Sequence, residues 1–180
     1  MRNRYESHGD VTTIFLRRKD GNYLEALIDT ADLDKVAGID ARWHATWCKE
    51  SQTYYVAARD WSNGGKKLYL HRLIIDAPND LDVDHIDHNG LDNQRLNLRL
   101  ATNGENQQNR LGPAASNRTS GVLGVYWHTT RRRWCVNLTV DRRKVYIGKY
   151  RHLEDAKAAV DEAKVRLYPF SQEALAGSPI

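Results

Sequence analysis

Nothing limits the architecture of this chain more than the run from Val83 to Arg110, VDHIDHNGLDNQRLNLRLATNGENQQNR. Val83 to Ile86 reads as a short strand. His88-Asn89-Gly90 supplies a turn, with Gly90 able to take a positive φ. Asn97 to Thr102 returns as a second strand, Leu98 and Leu100 on one side and Arg99 on the other. Thr102-Asn-Gly-Glu105 has the S/T-x-x-E capping pattern, so the spacing predicts a helix from Asn103 to about Leu111, stopped by Gly112-Pro113. Asn106, Asn109 and Arg110 then share one face of that helix at i, i+3 and i+4. On this frame Asp84 and His85 are adjacent, Asn97 follows His85 by 12 residues and Asn106 by 21. Neighbours on a regular strand point to opposite faces. Asp84 and His85 can therefore serve one site only if the strand ends or bulges there, and irregular backbone is expected at that step.

Composition narrows the setting. A chain of 180 residues suits one ordinary domain or two small ones. No apolar run approaches the roughly 20 residues of a membrane span. The polar start, Met1-Arg-Asn-Arg-Tyr-Glu, lacks the apolar core of a signal peptide, so a cytoplasmic protein is expected. Cys48 and Cys135 form no CxxC, which argues against a zinc ribbon or a disulfide framework; Cys48 is expected to be buried. The net charge of +4 is unevenly spread. Residues 1–70 carry 11 Lys/Arg against 10 Asp/Glu, residues 71–110 carry 4 against 7, and residues 111–180 carry 12 against 6. An acidic centre suits a cation site, and a basic flank suits a polyanion.

Before the central run the chain is β-rich. Residues 1–10 read as a frayed end. Val11 to Leu16 and Tyr23 to Ile28 read as strands about a Lys19 to Asn22 turn, and Asp29-Thr30 opens a short helix with Ala31, Leu33, Val36 and Ala37 apolar. Thr53 to Ala58 and Lys66 to Leu70 are further strands. Trp43, Trp47, Tyr54 and Trp61 are expected to fill the core of this lobe, with base stacking as their second role. His71 to Ile75 reads as a short helix or a strand end. His71 is expected to be a structural hydrogen-bonder, and Arg72 a phosphate contact.

After the central run, Gly112 to Ser120 has linker composition. Val122 to His128, Arg133 to Val140 and Lys144 to Tyr150 then read as strands, with turns at Thr129 to Arg132 and Asp141 to Arg143. Alternation puts Val125, Trp127, Trp134, Val136, Leu138, Val145 and Ile147 on an apolar face. Tyr126, His128, Arg133, Cys135, Asn137, Thr139, Lys144 and Tyr146 fall on the other. Leu153, Ala156, Val160, Ala163 and Leu167 make one helical stripe, which must cover the apolar face. The polar face stays open, with Arg131, Arg132, Arg142 and Arg143 at its turns. A sheet of this kind can enter the DNA major groove.

Two resemblances follow from these residues. His71-Arg-Leu-Ile, Val83-Asp-His-Ile-Asp, Leu91-Asp-Asn, Asn97-Leu-Arg and Ala101-Thr through Glu105-Asn106 resemble the HNH (ββα-metal) nuclease motif of phage and intron homing endonucleases, over about 40 residues. Asn106 stands for the third letter of the motif, and His88 occupies a turn position that is usually Gly. The resemblance implies that Asp84 and Asn106 hold one divalent ion, Mg²⁺ or Mn²⁺, through oxygen. It implies His85 as general base and Asn97 as the residue tying down the loop that orients His85. Arg72, Arg95 and Arg99 become candidate phosphate contacts. A transition-metal site on His85 and His88 would lack further ligands. Gly121, Gly124-Val125, Trp134, Gly148, Tyr150 and the Ala-rich helix resemble the Apetala/ethylene-response-type DNA-binding domain, over about 50 residues. Tyr126 and His128 stand where that family is Arg-rich, and His152 replaces its usual Thr cap.

The expectation is therefore an α+β protein. An HNH nuclease domain at 1–111, with its ββα-metal core at about 81–111, is followed by a linker at 112–120. A three-stranded antiparallel sheet with one helix at 121–170 then reads DNA, and 171–180 is a tail. Expected function is metal-dependent cleavage of double-stranded DNA in the bacterial host of a phage or mobile element, by a monomer with no small-molecule cofactor and no membrane. The alternative is a non-catalytic, sequence-specific DNA-binding regulator on a decayed nuclease scaffold.

Overall fold

A computed structural model of the chain describes residues 1–110, 112, 117, 119–171 and 174. The fold is mixed α+β, with four small antiparallel sheets and few helices. It divides into two compact units, Met1–Thr102 and Asn103–Ile180.

In the first unit, β1 (Tyr5–His8), β2 (Val11–Arg17) and β3 (Tyr23–Asp29) form one sheet in that order. Thr12, Ile14 and Leu16 of β2 are fully buried on one face, the period of a half-buried strand. The start of the chain is not frayed. Tyr5–His8 pairs with Val11–Ile14, and Asn3 locks the approach by donating to the Phe15 and Trp43 carbonyls and accepting from the Trp43 N–H. These residues are polar and mostly exposed, so no apolar alternation announced the strand.

A 3₁₀ turn at Thr30–Asp32 leads into α1 (Leu33–Ala37). A second sheet follows, β4 (His44–Cys48), β5 (Thr53–Asp60) and β6 (Lys66–Tyr69), and then α2 (Leu70–Ile74). Ile14, Leu16, Ala26, Ile28, Val36, Trp43, Val56, Ala58, Leu70, Ile74 and Leu98 form one core. Trp43 fills that core as expected. Trp47 and Trp61 do not: they are 48% and 72% exposed, and Trp47 meets Tyr54 edge-on at 4.9 Å across the strands. Cys48 is only half-buried, with its Sγ 3.3 Å from Glu50 Oε2.

The central run folds as β7 (Asp82–His85), a loop, β8 (Leu98–Ala101) and α3 (Asn103–Gln108), the last belonging to the second unit. The helix is shorter than predicted. Asn109 lies in a turn beyond it and Arg110 has left it, so the shared face with Asn106 does not form. The predicted end at Leu111 and its stop at Pro113 lie outside the described residues.

The second unit continues with β9 (Val125–His128), β10 (Arg133–Val140) and β11 (Arg143–Tyr150), ordered β11-β10-β9, and α4 (Leu153–Leu167). Asp141 and Arg142 both take positive φ, as a two-residue hairpin turn of the primed type requires. Ala156, Val160 and Ala163 bury against Val125, Val136 and Leu138, so the helical stripe does cover the sheet. Tyr168 closes this core: its hydroxyl accepts from the Thr139 N–H and donates to the Thr139 carbonyl. Much of the expected linker (113–116 and 118) and of the tail (172, 173 and 175–180) lies outside the described residues. Among the described residues no helix is long and apolar enough to cross a membrane.

Candidate active site

The loop between β7 and β8 is held by Asp and Asn side chains. Asn97 accepts from the Asp87 N–H at 3.0 Å and donates to Asp87 Oδ1 at 2.8 Å and to the Asp92 carbonyl at 2.9 Å. Asp87 in turn caps the Asn89 N–H, Asn89 the Leu91 N–H and Asp92 the Gln94 N–H. The loop is also stitched to the body of the unit. Leu27 and Asp92 form a parallel bridge, and Gly90 donates to Thr53 Oγ1. Positive φ falls on His88, at 65°, and not on Gly90. Gly90 is needed for a different reason: a Cβ there would lie 2.4 Å from the Tyr54 carbonyl oxygen.

Asp84 and His85 close β7. The ladder ends at His85, but the step between them is regular: Asp84 pairs with Arg99 and His85 with Leu98 without a register shift. The expected irregularity is therefore absent from that step, because the antiparallel hydrogen bonds of both residues are satisfied in one register. The two side chains go to different neighbours. Asp84, buried, accepts two bonds from Arg99 at Oδ2, from Nε at 2.9 Å and Nη2 at 2.6 Å. The ring of His85, only 4% exposed, lies 5.1 Å from His71 (edge-on) and 5.6 Å from Tyr55.

His71 was expected to make hydrogen bonds. It is 7% exposed, and its Nδ1 has no partner among the described residues. Instead it is caged by rings, stacked on Tyr69 at 5.4 Å and edge-on to Tyr55 at 5.5 Å. Burial, then the nearby His85 and Arg72, push its pKa down to about 3. Burial also lowers the His85 pKa, against the opposing pull of the nearby Asn93 side chain and of Asp87 and Asp84. Both imidazoles are neutral at pH 7. Asn93 was not singled out beforehand. It is fully buried, and it braces the loop through the Leu91 carbonyl and its own N–H to Leu27. An Asn inside a turn-rich run carries no sign of its burial.

The three arginines differ in what they hold. Arg95 makes a bidentate bond to the buried Asp32 at 2.8 and 2.6 Å and a third bond to the Ile74 carbonyl. Arg72 donates to the Leu81, Ala77 and Pro78 carbonyls and so closes the loop after α2. Arg99 serves Asp84. Arg72 and Arg95 are thus spent on internal structure.

The buried carboxylate of Asp84 has its positive charge beside it in Arg99. Among the described residues no three His, Cys, Asp or Glu side chains stand together as a metal cluster, so the pair His85 and His88 gains no further ligand.

In the second unit the register defines the open sheet face. His128, Arg133, Tyr126, Asn137, Tyr146, Thr139 and Lys144 fall on it by pairing, with Arg131, Arg132, Arg142 and Arg143 at its ends. Cys135 is on that face but is buried. The ladder shifts between Val136 and Asn137, which makes Ile147 the extra residue of a bulge. The shift changes parity along β11 and adds exposed Lys149, opposite Cys135, to the open face. Strict alternation could not show that. Asn137 donates to the Tyr126 hydroxyl at 3.3 Å, and its Oδ1 has no partner among the described residues.

An uncharacterized HNH endonuclease of Acanthamoeba polyphaga mimivirus is 48% identical to this chain over 65 residues, a third of each protein. The likeness is to an HNH-type nuclease. Protein 3.8 of Escherichia phage T7 is 37% identical over 62 residues, a third of this chain and half of that protein. The chain thus spans no more than half the length of either relative. No family model matches it, and no solved structure matches it.

Proposed function

We propose that this chain is a metal-dependent HNH endonuclease of the homing type, cutting double-stranded DNA to 5′-phosphate and 3′-hydroxyl ends. The observation that carries the reading is His85: a buried, neutral imidazole at the end of a strand, next to a buried acid, on a loop pinned by Asn97. A neutral imidazole can take a proton from an attacking water. Asp84 and Asn106 are the residues that would hold one Mg²⁺ or Mn²⁺, whose chemistry there is charge neutralisation at the phosphate and the leaving 3′ oxygen. An in-line displacement sets the attacking and leaving oxygens on opposite sides of phosphorus. Asn97 acts by positioning the loop that carries His85, and Arg99 by holding the Asp84 side chain in place and offering charge to a phosphate.

The open sheet of the second unit, resembling the Apetala/ethylene-response type, supplies DNA affinity and part of the site preference through Tyr126, His128, Arg133, Asn137, Thr139, Lys144 and Tyr146. The turn arginines and Lys149 hold the backbone. A protein acting this way on an asymmetric site works as a monomer in the cytoplasm of a phage-infected host. The Arg99–Asp84 pair favours a second reading, a DNA-binding regulator on a scaffold that no longer cuts, because Arg99 already neutralises the acid.

Supercoiled DNA incubated with the protein, with and without Mg²⁺, separates the two. We expect Mg²⁺-dependent nicking or linearisation, and His85→Ala to slow it by about 10²–10⁴-fold, the usual worth of a positioned base. Cleavage by the variant at the wild-type rate removes His85 from the mechanism. DNA left intact by wild type favours the regulator.

A further inference from the structure

We infer that the exposed face of the β4–β5–β6 sheet is a second DNA contact, carrying the backbone of the strand that leads to the scissile phosphate. This rests on the nuclease reading above and locates its substrate in the first unit. Register sorts the sheet into two faces. Val56 and Ala58 turn into the core, so Tyr55, Ala57 and Arg59 turn the other way, and pairing places Tyr69 beside Ala57 and Lys67 beside Arg59. Ala57 on this face is covered and Tyr55 and Tyr69 are half-buried, and the two rings lead to the candidate base. The Tyr69 ring stacks on His71, and Tyr55 touches both His71 and His85.

Its far end is cationic. Lys67 lies over the Tyr69 ring at 4.4 Å and donates to its hydroxyl, while Arg59 spends one nitrogen on the Gly65 carbonyl. Both are exposed. Arg2, Arg4, Arg18, Lys35, Arg95 and Arg99 in this unit all pair with carboxylates, whereas neither Arg59 nor Lys67 does among the described residues. Lys67 leaves the sheet two residues from Tyr69, about 7 Å at strand rise, close to the axial rise of two nucleotides along one strand. An aromatic step between two unneutralised cations and a neutral imidazole suits a phosphate backbone, and suits an acidic protein surface less well.

The test uses the full chain, a labelled random-sequence duplex and EDTA, with Kd followed across salt. Phosphate contacts release counterions, so each one lost makes the plot of log Kd against log salt shallower by about 1. For the double variant Arg59→Gln, Lys67→Gln we expect a Kd raised about tenfold and a slope shallower by about 2. Lys66→Gln, which removes one charge from the residue next to Lys67 on the opposite face, should leave both at wild type rather than shift the slope by about 1. Arg59→Lys with Lys67→Arg should restore both. An unchanged slope in the double variant overturns the inference, as does a slope shifted by about 1 in Lys66→Gln. With Mg²⁺ present, kcat/KM should fall and kcat at saturating DNA should hold. If wild type does not cut at all, the nuclease reading fails and the salt slope in EDTA still decides this surface.

Discussion

His71 is buried among the rings of Tyr55, Tyr69 and His85. A His in the run HRLII signals neither its cage of Tyr55, Tyr69 and His85 nor the lack of a partner for its Nδ1 among the described residues, because both depend on strands far away in the chain. Its depressed pKa has a thermodynamic consequence. The unfolded chain binds a proton near pH 6.5 and the folded chain only near 3, so the stability is fully present above 6.5 and is lost as pH falls toward 3. The loss should reach about 1.4 kcal/mol per pH unit within that window. Urea unfolding at pH 7, 6, 5 and 4 should show this slope, and His71→Phe, which keeps a ring in the cage, should flatten it by about one proton. An unchanged slope in the variant would mean that other groups govern the acid limb. By contrast the frame around Asp84, His85 and Asn97, two short strands joined by an Asn- and Asp-rich loop, was legible in the sequence because its signals are local.

At the scale of elements, alternation located the interior of most strands, and the 3, 4, 3, 4 spacing located α4. What it missed has a common cause. β1 and β4 are short, mixed in polarity and recognisable only from their partners. The bulge in β11 breaks the parity on which face assignment depends. The central loop shows the same dependence. Composition suggested that Gly90 serves a turn, yet the left-handed residue is His88, and Gly90 lets the loop approach β5. Gly90→Ala should therefore push the loop off Tyr54 and cost about 3 kcal/mol, the scale of overpacking against backbone. In a unit of about 100 residues that lowers the melting midpoint by about 10 °C or more. His88→Gly should not destabilise, since it removes a side chain from a strained φ. Circular dichroism melts of the two variants check the pair.

At the scale of the molecule, the chain has two separate cores, one centred on Ile14, Trp43 and Leu70 and one on Val136, Leu138 and Val160. Linker composition put the division after the central helix, at 112–120, whereas the compact units divide at Thr102/Asn103, ahead of that helix. Calorimetry should resolve two transitions. Ile14→Ala should lower only one of them and Leu138→Ala only the other, each by about 2–5 kcal/mol. A single transition shifted equally by both would mean that the cores unfold together. The bulge at Ile147 reaches furthest beyond stability. It flips the parity of β11, so that Lys144, Tyr146 and Lys149 all stand on the face turned away from α4. Three side chains from both halves of one strand thereby share a surface that unbroken alternation would have split between two.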